Sequence, residues 1–104
     1  MNTGIVFDEG GKKQKQFFRN MTREQFDKQL KEEKTRPVSQ LLLDLCRKAA
    51  DIYKKSGTPT GAVRCLSRLI AHGAAEEVDY ENLAEIFAGL RNSILPEYIR
   101  TLAG

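Results

Sequence analysis

Arg64 and Arg68 stand four residues apart, so on a helix their guanidinium groups project side by side. A guanidinium fork matches phosphate oxygens and guanine edges. Thr60 and Ser67 fall on the same helical face, where a hydroxyl can add a hydrogen bond to a phosphate. Lys54 and Lys55 precede them and suit positioning on a phosphate backbone. A second set of cations lies upstream: Lys12, Lys13, Lys15 and Arg19, with Phe17 and Phe18 among them. Cations that follow a backbone while rings stack or wedge are a known way to hold nucleic acid. The same residues also suit a solubilising terminus with one hydrophobic docking point. Catalytic chemistry has less to work with. His72 is the only histidine and lies seven residues from Cys65, with no third group placed to orient such a pair. Cys46 and Cys65 fall on or near apolar stripes, where cysteine acts as a small hydrophobe. One His and two Cys fall short of a four-ligand metal site within one chain. No enzyme activity, cofactor or metal is expected.

Charge along the chain sharpens the same contrast. The total is 17 bases against 14 acids. Residues 11–23 hold five bases and no acid; residues 34–74 hold eight bases and two acids; residues 75–104 hold two bases and six acids. A basic middle points to an anionic partner: nucleic acid, DNA ahead of RNA, or an acidic protein. An unevenly charged solvated surface is the plain alternative.

Residues 50–73, ADIYKKSGTPTGAVRCLSRLIAHG, read as helix, Gly-containing turn, helix. Gly57 sits in the turn, Val63 is six residues beyond it, and Leu66 falls at a further core position. The segment resembles the helix-turn-helix segments of small DNA-binding regulators over about 24 of the 104 residues. The resemblance implies that the helix after Gly57 presents Thr60, Arg64, Ser67 and Arg68 to nucleic acid. Two positions depart from the pattern. Tyr53 stands where a small residue belongs, and Thr58 replaces an apolar one. An ordinary helical hairpin with two solvated arginines satisfies the same spacing.

The elements that position these residues follow from apolar periodicity. Residues 1–20 read as a flexible basic arm, rich in Gly, Lys and Gln. Residues 21–104 read as one helical domain, all-α, a compact bundle of four to five short helices. Thr22 and Gln25 fit a capping box that opens a first helix ending near Lys34. The next helix follows Thr35-Arg36, with Pro37 in its first turn, where a missing N–H is tolerated. Its stripe of Val38, Leu41, Leu42, Leu45, Ala49, Ile52 and Tyr53, widened by Leu43 and Cys46, predicts the centre of the core. Thr58-Pro59 opens a third helix, which Gly73 stops. Asp79 is the expected cap of a fourth, with Leu83, Ile86, Phe87, Leu90 and Ile94 on one face. Tyr98, Ile99 and Leu102 suit a last short helix after Pro96.

A chain this short typically buries about 60–65% of its unfolded surface, so symmetric pairing would help complete its core. A homodimer through the fourth helix or the last one is expected. No apolar run approaches the ~20 residues that span a bilayer, and no secretory signal is evident, so no membrane partner and a cytoplasmic location are expected. The expected role is a small non-enzymatic nucleic-acid-binding regulator. The alternative is a protein-protein interaction adaptor, or a small helical subunit of a larger complex.

Overall fold

Thr22 takes extended backbone, and its hydroxyl accepts from the Gln25 N–H at 3.2 Å while the Gln25 amide accepts from the Thr22 N–H at 2.9 Å. That reciprocal pair starts α2, Arg23–Lys34, as its sequence predicts. The computed structural model describes residues 13–103. Residues 13–19 form α1; α3 spans Gln40–Lys55, α4 Pro59–Ala71, α5 Glu77–Gly89 and α6 Leu95–Ala103. Every regular element among the described residues is a helix.

The expected arm is therefore helical where it is described. Phe18 is buried, with its ring edge-on to Phe87 at 6.0 Å between centroids. One aromatic anchor thus converts a basic segment into a docked helix. Lys12 lies outside the described residues.

The central helix is α4. It packs against α2, α3 and α5, and buries Thr60, Ala62, Val63, Leu66, Ser67 and Leu69. Ala62, Val63 and Ser67 are small enough to let neighbouring helices close in. Gly61 extends this. A Cβ there would lie 2.8 Å from the Tyr53 ring, so the bulky Tyr53 is accommodated by the glycine facing it.

α3 was expected at the centre, and it is not. It turns only Leu43, Cys46 and Ala50 inward. Leu41, Leu45, Ile52 and Tyr53 stay 68, 51, 64 and 40% exposed. Its start also differs: Ser39 is the cap, accepting from the Leu42 N–H at 3.1 Å, so Pro37 lies before the helix. Gly57, at φ +80°, lets the chain reverse into α4.

At the start of α5 the cap is Glu76, three residues before the expected Asp79. Asp79 is buried instead, and accepts from the Glu76 N–H at 2.8 Å and from Arg47 at 2.9 Å. Arg47 also donates to the Ala74 carbonyl at 2.7 Å, which ties α3 to the α4–α5 loop. Leu83, Ile86 and Phe87 are core residues, as are Leu95 and Ile99. The faces expected to pair two copies therefore turn mostly inward: Leu90 and Tyr98 are half-buried, and Ile94 and Leu102 are exposed at the edge.

Candidate nucleic-acid interface

α1 crosses the domain with a basic cleft on each side. The first cleft, about 480 Å³, lies between α1, α2 and α4 and is lined by Lys13, Arg36, Arg64 and Arg68 together with Glu32 and Glu33. Thus Lys13, Arg64 and Arg68, predicted from distant parts of the sequence, do converge. Their charges are not equivalent. Arg68 donates from Nε to the Glu33 carboxylate, and Arg36 lies 3.7 Å from the same group. The Glu33 carboxylate, against a smaller opposing effect of burial, holds the Arg68 guanidinium above its ordinary pKa. Arg68 is therefore already paired, while Arg64 is exposed with no carboxylate at ion-pair distance among the described residues.

Two predicted contacts are withdrawn from solvent. Thr60 and Ser67 are 9 and 8% exposed, because α4 is enclosed on several sides. Arg64 is the only exposed residue of α4; the rest are buried or half-buried. A helix read from a major groove needs a row of accessible side chains, and α4 lacks one. The resemblance to a helix-turn-helix thus holds in the turn and in Val63 and Leu66, but not in the outer face.

The second cleft is larger, about 720 Å³, and lies between α1, the α3–α4 turn and the end of α5. Lys15, Arg19, Lys54 and Arg91 line it with Gln16, Gly57, Pro59 and Leu90, and no acid is among its lining residues. Lys54 is anchored by donation to Asn82 at 2.9 Å and lies 3.9 Å from Glu85. Lys15, Arg19 and Arg91 have no such partner among the described residues. Lys55 points elsewhere, paired with Asp51 at 3.0 Å on the outer side of α3.

Arg91 was not among the expected contacts. It has φ +67°, the left-handed conformation that side chains with a Cβ avoid. The Asn92 N–H donates to the Phe87 carbonyl and the Arg91 N–H to the Ala88 carbonyl, both at 3.0 Å. This is the hydrogen-bond pattern with which glycine usually ends a helix. An arginine here costs about 1 kcal/mol of backbone strain. The apolar face of the expected fourth helix runs on to Ile94, so nothing in the sequence marks the helix end at Gly89 or the left-handed turn at Arg91.

The thiol of Cys65 is half-buried. Burial first, and the neighbouring Cys46 sulfur second, hold it above the usual thiol range, so it stays protonated at neutral pH. Among the described residues no group of His, Cys, Asp and Glu is placed to hold a metal ion, and no helix is long and apolar enough to cross a membrane. Compared with family models, with curated proteins and with solved structures, the chain matches none.

Proposed function

We propose that the protein is a small non-enzymatic nucleic-acid-binding protein of regulatory type, acting in the cytoplasm, with DNA favoured over RNA. The phosphate backbone lies in the cleft of Lys15, Arg19, Lys54 and Arg91, and Lys13 and Arg64 extend the contact across α1. One observation carries this reading: four cations face one groove with no acid in its lining. A surface that only needed solubility would mix the signs, as the first cleft does. Phe17, exposed on α1 at the first cleft, offers a ring to an unpaired base.

Salt titration tests it. The four cations of the cleft by themselves give a slope of about −3.6 in log affinity against log salt, so binding of a labelled duplex weakens by about a hundredfold or more between 50 and 200 mM. Arg19→Ala makes that slope shallower by about one unit. Absence of binding at low salt, or binding indifferent to salt, contradicts the proposal.

The adaptor reading rests on a different observation. Its expected contact faces on the last two helices are mostly internal, but α3 leaves Leu41, Leu45 and Ile52 exposed.

A further inference from the structure

The outer face of α3 carries the largest unpartnered apolar stripe in the described molecule. Leu41, Leu45 and Ile52 fall within about 40° of one another on a helix of 16 residues, with the half-buried Ala49 beside them. Isolated exposed leucines are ordinary, but three on one line, each more than half exposed, form a contact seam. Flanking the seam on one side is a charged row, Asp44, Lys48, Asp51 and Lys55, all exposed. The row alternates in sign.

That alternation selects a partner. In an antiparallel pair of identical helices, each flanking row faces its own copy in reverse order. Read backwards, the row is Lys55, Asp51, Lys48, Asp44. Asp44 then stands level with Lys55 of the second copy, and Lys48 with Asp51 of the second copy. All four pairings are between opposite charges, and all share one two-fold axis midway between residues 49 and 50. Leu45 then meets Ile52 of the second copy, and the small Ala49 sits near the axis, where two backbones must approach closely. A parallel pair would not bring this row against its own copy.

We infer that the protein self-associates through α3, as an antiparallel homodimer set in register by Asp44, Lys48, Asp51 and Lys55. The inference is independent of the basic clefts. It replaces the expected interface on the last two helices with one on the helix that was expected to be the core.

Light scattering on the full chain supplies the first test. The wild type at 100 µM should give twice the 11.7 kDa chain mass. Leu45→Asp should give the chain mass with an unchanged far-UV spectrum, because Leu45 is not part of the monomer's core. A monomeric wild type, whatever else covers the stripe, overturns the inference, as does a dimer that survives Leu45→Asp. The register has its own test. Lys48→Glu and Asp51→Lys each place like charges opposite one another twice per dimer, which weakens self-association by on the order of tenfold. Mixed in equal amounts, the two variants should form a heterodimer at close to wild-type affinity, since each mismatched pair becomes an opposite one. A mixture no tighter than either variant alone overturns the antiparallel register, even if a dimer forms.

Discussion

Asn92 is 4% exposed and uses its whole amide. Its Nδ2 donates to the Phe18 and Met21 carbonyls at 2.9 and 3.0 Å, and its Oδ1 accepts from the Ile94 and Leu95 N–H groups at 2.9 and 2.8 Å. One side chain thereby caps α6 and fastens the α1–α2 junction. Asn92→Ala leaves four backbone groups without this partner and should destabilise the fold by about 2–4 kcal/mol in denaturant titration. A change below ~1 kcal/mol would mean that water replaces the amide. Nothing in the sequence marked this residue's full role, since an Asn between a helix end and Ser93-Ile94 reads as a turn, and the two carbonyls it donates to lie more than 70 positions away. Capping was legible where both partners are local, as at Thr22 and Gln25. It was misread at Asp79, whose acceptor role is shared with the distant Arg47.

At the scale of elements, periodicity located the helices but misjudged which faces point inward. α3 has the cleaner apolar stripe, yet α4 is enclosed. The reason is side-chain size. Ala62, Val63 and Ser67 let α2, α3 and α5 approach α4, whereas the large residues of α3 lie on the side with no helix to meet them. A stripe shows that a face will be covered, without saying whether by the same chain or another. The basic segment before Met21 posed the reverse problem: its charges indicated flexibility, and the single buried ring of Phe18 outweighs them. Leu66, 3% exposed, should therefore lose about 2–5 kcal/mol as Leu66→Ala. Leu45→Ala, measured by thermal unfolding at concentrations where the protein is monomeric, should change stability by less than about 0.5 kcal/mol. Equal effects at the two positions would return α3 to the core.

Over the whole molecule, the charge blocks of the sequence become two clefts divided by α1. In the first, acids of α2 neutralise part of the predicted basic set. In the second, cations from three separate segments meet with no acid in the lining, although Lys54 lies 3.9 Å from Glu85. Arg64 and Lys13 were legible as candidates from spacing and local charge. The grouping of Lys15, Arg19 and Lys54 with Arg91 was not, because it depends on how α1 docks. In the proposed function, Arg91 accepts a strained backbone and in exchange places a cation in this cleft. Arg91→Gly separates the two roles. Gly relieves the left-handed strain, so thermal stability should hold or rise, while affinity for a labelled duplex at 50 mM salt should fall about three- to tenfold and the salt slope should lessen by about one unit. A variant that binds as tightly as the wild type with the same salt slope would show that Arg91 only ends a helix, and would contradict the proposed function.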